Sequence, residues 1–228
     1  MIIGSGQIAQ QFATTALTNT IFFASGVSDS GCTDRLQFQR ETRLVSETLS
    51  ANQGKTFVYF SSCALSASDY EKNLYYQHKQ SIEQLIRAQT ENYYIFRLPQ
   101  VFGNILAHKT LINYLYAKIS NGESFIVYQD AYRYVLELDD LRDLVVAYLH
   151  HSAPAVTVNL ANPYRYHILE IVGVIEELLQ KKASYNLQKK SDKYMLDLAP
   201  MLEFIDANNL VFSFGEDYLF QKLKHKIA

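Results

Sequence analysis

Thr56-Phe57-Val58-Tyr59-Phe60-Ser61-Ser62 opens the stretch from Thr56 to Asn104 on which the reading of the whole chain turns. It reads as a strand that ends in two serines. The tyrosine-rich segment Tyr70 to Arg87 follows, and Ile95-Phe96-Arg97-Leu98-Pro99-Gln100-Val101-Phe102-Gly103-Asn104 closes it. Ser62, Tyr75 and Lys79 stand thirteen and then four residues apart. On a helix, a spacing of four stacks two side chains on one face. A cation beside a phenol lowers its pKa toward the phenolate, as a proton-transfer group requires. A serine ending the preceding strand could share a substrate hydroxyl with that tyrosine. With 17 tyrosines in the chain, the same spacing also arises by chance on an exposed helix face, so its surroundings decide its meaning.

The surroundings are those of an ordinary globular protein. The chain has 228 residues, 48% hydrophobic and 19% charged, enough for one sizeable domain and a small appendage. A formal net charge of -2 offers no polycationic surface for a phosphate backbone, so nucleic acid is not an expected partner. Cys32 and Cys63 are too few for a disulfide framework and point to a reducing compartment. No apolar run reaches the roughly 18 residues of a membrane span, and the N-terminus lacks the flank of a signal peptide. A cytoplasmic protein without membrane contact is expected.

Met1-Ile2-Ile3 leads into Gly4-Ser5-Gly6-Gln7-Ile8-Ala9, a G-x-G-x-x-A pattern that opens an amphipathic segment to about Leu17. Such glycines let the backbone turn tightly and approach a pyrophosphate, while a small residue at Ala9 allows close packing on the strand. The same loop can also be a tight turn and nothing more. Thr20 to Ser25 is the next strand. In a dinucleotide-binding unit the second strand ends in an acidic residue about 20 positions after the glycines. Here Ser25 and Gly26 hold that place, and Asp29 comes later. Either Asp29 substitutes, or this is not the second strand; the rest of the chain favours the latter. Leu36 to Ser50 carries Phe38, Leu44, Val45 and Leu49 at helical spacing, with Asn52-Gln53-Gly54 as its stop. Strand and helix therefore alternate, which predicts a parallel sheet with right-handed crossovers.

With these pieces in order, the chain resembles the extended short-chain dehydrogenase/reductases, specifically the NAD-dependent epimerase/dehydratase family that acts on nucleotide sugars. The resemblance rests on Gly4, Gly6 and Ala9; on Phe22-Phe23-Ala24-Ser25-Gly26; on Val58-Tyr59-Phe60-Ser61-Ser62; and on Tyr75 with Lys79. It continues through Arg97 to Gly103, Tyr132 to Leu141, and Val158-Asn159-Leu160, covering most of residues 1 to 180. It implies that Tyr75 is the general acid/base, that Lys79 holds the nicotinamide ribose and depresses the tyrosine pKa, and that Ser62 orients the sugar hydroxyl. Gly4, Ser5, Gly6, Gln7, Ile8, Ala24, Ser25, Gly26 and Pro99 would contact NAD or NADP. Gln100, Asn104 and Arg133 would meet the nucleotide-sugar substrate, Arg133 its diphosphate. For Arg133 the plainer alternative is a surface arginine on a strand. The family's tyrosine-bearing helix often pairs with that of a second subunit, which makes a homodimer the implied assembly.

The departures carry equal weight. If Thr20 to Ser25 is the family's fourth strand, its second and third strands are absent, and with them the carboxylate on the adenosine ribose. The expected fold is thus a Rossmann-like parallel sheet with flanking helices, lacking those two strands, over residues 1–160, plus a small C-terminal substrate-side region over 161–228. Weak cofactor binding follows. Glu41 stands where the family usually has asparagine, and Cys63-Ala64 stand where its dehydratases carry Asp-Glu, so dehydration is not expected. Further on, Thr110 to Ile119 predicts a helix capped by Asn121-Gly122, and Phe125 to Tyr128 a short strand. Asp139-Asp140 read as caps of the next helix. His150 and His151 suit its C-terminal dipole, and no metal ligation is expected from them. Leu169 to Gln180 forms a helix. Tyr194-Met195-Leu196-Asp197 resembles the family's substrate-proximal strand ahead of a final helix pair. Epimerisation and keto-sugar reduction would use the same residues; a non-catalytic relative serving as a nucleotide-binding or partner subunit is the alternative.

Overall fold

The computed structural model describes residues 1–15, 17–67, 72–105, 110–192 and 194–227. In chain order, β1 (Ile2–Ile3), α1 (Gln7–Gln11), β2 (Thr20–Phe23), α2 (Arg35–Ala51) and β3 (Thr56–Ser62) lead through a 3-10 turn (Cys63–Leu65) to α3 (Leu74–Gln89). Then come β4 (Tyr93–Leu98), β5 (Gln100–Phe102), α4 (Leu111–Asn121), β6 (Phe125–Arg133), β7 (Val135–Glu137) and α5 (Leu138–His151). The chain ends with β8 (Val156–Asn159), β9 (Tyr166–His167), α6 (Ile168–Leu179), β10 (Tyr185–Asp192), α7 (Ala199–Ala207) and α8 (Tyr218–Ile227). Two compact units divide these elements. One gathers the described residues of Met1–Ser66, Glu71–Leu98 and Arg142–Leu160; the other gathers those of Ala67–Tyr70, Pro99–Leu141 and Ala161–Ala228. No helix among the described residues is long and apolar enough to cross a membrane.

The first unit is built on a five-stranded sheet in the order β1-β2-β3-β4-β8, every neighbouring pair parallel. Period-two alternation divides its side chains between two faces. Ile21, Phe23, Phe57, Tyr59 and Ile95 meet Val45 and Leu49 of α2 and Ile82 and Ile86 of α3. Phe22 and Phe60 point the other way and sandwich Phe12, at ring distances of 4.5 and 5.4 Å. The expected helix to Leu17 ends early, at Gln11, because Phe12 turns in to fill that space. Asp34 caps α2 by accepting from the Leu36 amide, and Asn73 caps α3 by accepting from the Tyr76 amide. Tyr70, where the tyrosine-rich segment begins, lies outside the described residues.

The strand order explains the missing carboxylate. Among the described residues β1 pairs with β2 alone and lies at the sheet's edge. A doubly wound sheet continues past its first strand on the other side, and the reversal makes the crevice in which dinucleotides lie. Here the strands run in one direction from β1, and among the described residues the second and third strands of that plan are absent. The fold is a shortened Rossmann-like α/β sheet with flanking helices.

In the second unit, β6 lies between β10, parallel to it, and β9, antiparallel; β5 and β7 form a parallel pair. Gly122 ends α4 in the left-handed region at φ 70°, as its sequence predicts. Three expectations need correction. The strand after Gly122 extends to Arg133, because pairing with β10 and β9 supports its whole length. The strand before the last helix pair is Tyr185–Asp192, not Tyr194–Asp197. Asp139 and Asp140 lie inside the first turn of α5, and it is Glu137 that accepts from the Asp139 amide, at 2.7 Å. Asp140 accepts instead from the Tyr218 hydroxyl at 2.5 Å and Lys222 Nζ at 2.7 Å, so its charge anchors α8.

Gly4 has φ +127°, and a Cβ built there would lie 2.4 Å from the Ala24 carbonyl oxygen. Both facts exclude a side chain. Gly4→Ala should destabilise the protein by about 1–3 kcal/mol or more, read by urea unfolding.

Candidate functional site

Glu41 lies on the apolar stripe of α2, three residues after Phe38 and four before Val45, and its carboxylate is completely buried. An unpaired carboxylate there would be untenable. Four donors converge on it. Oε1 accepts from the Tyr59 hydroxyl at 2.6 Å and from Lys79 Nζ at 3.0 Å. Oε2 accepts from the Val27 amide at 2.7 Å and pairs with His78 Nε2 at 3.0 Å, which in this arrangement carries the proton. Four donors match the four lone-pair positions of a carboxylate. Burial works against the charge, but Lys79, with His78, Tyr59 and Val27, outweighs it and holds the Glu41 carboxyl well below its ordinary 4.5. Burial, then Glu41, pushes the Tyr59 phenol up, so it stays a donor.

Lys79 is the second centre. Its ammonium also donates to the Tyr59 hydroxyl at 2.9 Å, and its side chain is 3% exposed. It lies 5.0 Å from the Tyr59 ring centre and 5.7 Å from that of Tyr75. Burial lowers the Lys79 pKa, with Glu41 pulling the other way. Tyr75 is itself buried, one turn before Lys79 on α3, with its ring edge-on to Tyr76. The structure therefore brings Tyr75 and Lys79 together, as their spacing predicts. Ser62 ends β3 half-buried, its Oγ accepting from the Ala64 amide at 3.3 Å. An acceptor engaged in this way keeps its hydroxyl proton available.

A second buried carboxylate continues the seam along α3. Glu83, four residues beyond Lys79, accepts from Ser61 Oγ and from Arg97 Nε on Oε1, and from Arg97 Nη2 and Arg87 Nη2 on Oε2, all within 2.9 Å. Burial opposes its charge, and Arg97 leads the contacts that hold its carboxyl below the ordinary range. Cys63, one residue past Ser62, is a fully buried thiol that donates to the Arg97 carbonyl; burial pushes its pKa up, so it is no nucleophile at neutral pH.

The glycine turns lie at the C-terminal ends of β1 and β2. A Cβ on Gly6 would meet nothing within 4 Å, so the backbone there is open. In the same turn, Gln7 Oε1 is buried without a hydrogen bond among the described residues. Ser5 is exposed and Ile8 half-buried. Arg40 donates to the Ser25 carbonyl at 2.8 Å. Gly26 lies against the ion pair: a Cβ there would be 2.7 Å from both Glu41 Oε1 and Lys79 Nζ. Asp29 closes its own loop by accepting from the Gly31 amide at 2.8 Å.

The remaining predicted residues lie in the second unit. Pro99 follows β4, and Gln100 opens β5 with its amide on the Tyr134 carbonyl. The Asn104 carbonyl accepts from Asn113 Nδ2. Arg133 Nη1 lies 2.7 Å from Asp192 Oδ2 and donates to the Tyr132 carbonyl. Sequence reasoning noticed Glu41 as a substitution but missed its partners. The signal was available: a carboxylate set into an apolar stripe at helical spacing must find cations and donors.

Glu41→Gln should cost about 3–5 kcal/mol of stability, since it strands Lys79 in the core. Glu41 and Glu83 also fix an acid limb. Their folded pKa values lie below the ordinary 4.5, so the unfolded chain takes up protons first as pH falls. The stability they contribute is complete above about pH 4.5 and drains as the pH drops toward their folded values. Urea unfolding between about pH 6 and 3 should show this slope, and Glu41→Gln should flatten it.

No protein-family model matches the sequence, and no curated protein matches it. Solved structures do. UDP-glucuronic acid 4-epimerase from Bacillus cereus, in complex with UDP-glucuronic acid and NAD, superposes with a TM-score of 0.75 at 15% identity over 98% of this chain and 78% of that one. UDP-N-acetylglucosamine 4-epimerase from Methanobrevibacter ruminantium gives 0.71 at 17% identity, over 92% and 75% of the two chains. dTDP-glucose 4,6-dehydratase from Bacillus anthracis, in complex with NAD, gives 0.73 at 15%, over 92% and 71%. At such identities the likeness shows the fold: a shortened form of the one used by these epimerases and dehydratases.

Proposed function

We propose that the chain is an NAD(P)-dependent sugar-nucleotide epimerase or keto-sugar reductase with an abbreviated cofactor pocket, working in polysaccharide precursor synthesis. One observation carries this reading: Tyr75 and Lys79 pack together on α3, Lys79 Nζ lies against Gly26 in the turn that ends β2, and Ser62 ends the neighbouring parallel strand β3. The solved relatives with this fold include complexes with NAD and with a UDP-sugar.

The residues present fit one half of a dinucleotide. The open backbone at Gly6 suits the pyrophosphate, and the turn Ala24 to Gly26 suits the nicotinamide end. Among the described residues the adenosine end has no strand to carry its carboxylate. A bound nicotinamide supplies the hydride acceptor and donor. The chain's own residues do the rest. Tyr75 removes or returns the proton of the reacting sugar hydroxyl, and Ser62 donates to the same oxygen and fixes its direction. Arg133, released from Asp192, meets the diphosphate with Gln100 and Asn104 beside it, and a homodimer is the working assembly.

The edge position of β1 favours a second reading, a nucleotide-binding or partner subunit without turnover. Calorimetric titration with NAD, NADH, NADP and NADPH tests the first. Saturable but weak binding of one pair is expected; no binding by folded protein would overturn it. Tyr75→Phe should lower turnover of a sugar nucleotide by about 100-fold or more with the melting temperature unchanged, and undiminished turnover would remove Tyr75 from the chemistry.

A further inference from the structure

The resemblance assigns Lys79 to the nicotinamide ribose, yet the geometry of its ammonium leaves little for a ribose to use. Two of its three protons are directed at Glu41 Oε1 and the Tyr59 hydroxyl, at 3.0 and 2.9 Å. The rings of Tyr59 and Tyr75 and the backbone of Gly26 close in on the other sides. We infer that Glu41 takes the place of the cofactor ribose as the partner of Lys79, so that the lysine is a positioning residue set by the protein alone and any dinucleotide is held without it.

The exchange is unfavourable in the other direction. Turning Lys79 toward a pair of neutral hydroxyls would give up a charge-assisted hydrogen bond and leave Glu41 short of its cation in the core. Glu41 also holds the Val27 amide just past Gly26, so the loop that would shield a ribose from Lys79 is fastened by the same carboxylate. A glycine at position 26 follows from this contact, since any Cβ would collide with the ion pair whether or not a cofactor binds. Tyr75 is thus placed against its lysine before any ligand arrives.

The dinucleotide part rests on the proposed function, but the pairing of Glu41 with Lys79 does not, and the experiment separates them. Thermal unfolding of the full chain is compared for Glu41→Gln, Lys79→Met and the double variant. A double variant that melts closer to the native protein than the sum of the single shifts is expected. Additive shifts would overturn the pairing. In parallel, Lys79→Met is titrated with NAD, NADH, NADP and NADPH. Affinity within twofold of the native protein is expected, and a tenfold or greater loss with the fold intact would return Lys79 to the cofactor. If the native protein binds none of the four, the proposed function fails while the unfolding cycle still decides the pairing. If the variants do not fold, the ammonium proton signals of 15N-lysine-labelled native protein decide. One slowly exchanging set in the free protein supports the inference, and its absence overturns it.

Discussion

A carboxylate that cannot reach water sets the terms for the first unit. Glu41 draws α2, α3, β3 and the loop after β2 to one point, because each supplies one of the donors that make its burial tolerable. Apolar packing of Val45, Leu49, Ile82 and Ile86 on the sheet provides the bulk of the attraction but is indifferent to small shifts. Hydrogen bonds to a buried charge are not, since a displacement of 1 Å would leave a donor or an oxygen unsatisfied. The apolar layer brings the helices down, and the ionic cluster fixes their register. Glu83 repeats the arrangement one turn along α3, joining that helix to β4 through Arg97.

The same cluster links fold to chemistry. Tyr75 belongs to the helix whose position Lys79 and Glu83 fix, and Ser62 ends the strand that contributes Tyr59 and Ser61. The acid/base pair proposed for catalysis therefore stands on elements that are immobilised by charge rather than on a mobile loop. The cofactor side is less complete. Its glycine turns are formed, while among the described residues no strand lies on the side of β1 that would receive an adenosine.

Much of this is legible in the sequence. The strand Thr56 to Ser62, the α2 stripe, the glycine turn after α4 and the absence of two strands each follow from local rules: alternation, helical spacing, left-handed caps and a missing acidic residue. What is not legible depends on partners far away in the chain. Asp140 reads as a cap because it begins a helix, but its carboxylate answers to Tyr218 and Lys222, 78 and 82 residues on. The length of β6 depends on β10, whose exposed, lysine-bearing sequence gives no strand signal alone. Glu41 was visible as an anomaly. Its partnership with Lys79 is not legible, because spacing does not fix which of two acceptors a lysine pairs with.

The one-way strand order has a further consequence, for the time at which the sheet forms. In a doubly wound sheet the chain lays strands to one side of the first and then returns to pair its fourth strand with that first one, so an early edge must stay open. Here β2 adds to β1, β3 to β2 and β4 to β3, each across a single crossover. Four strands can therefore be laid down in the order in which a ribosome delivers them, each after one helical crossover. Only β8 must wait, until the whole of 99–155 has been made.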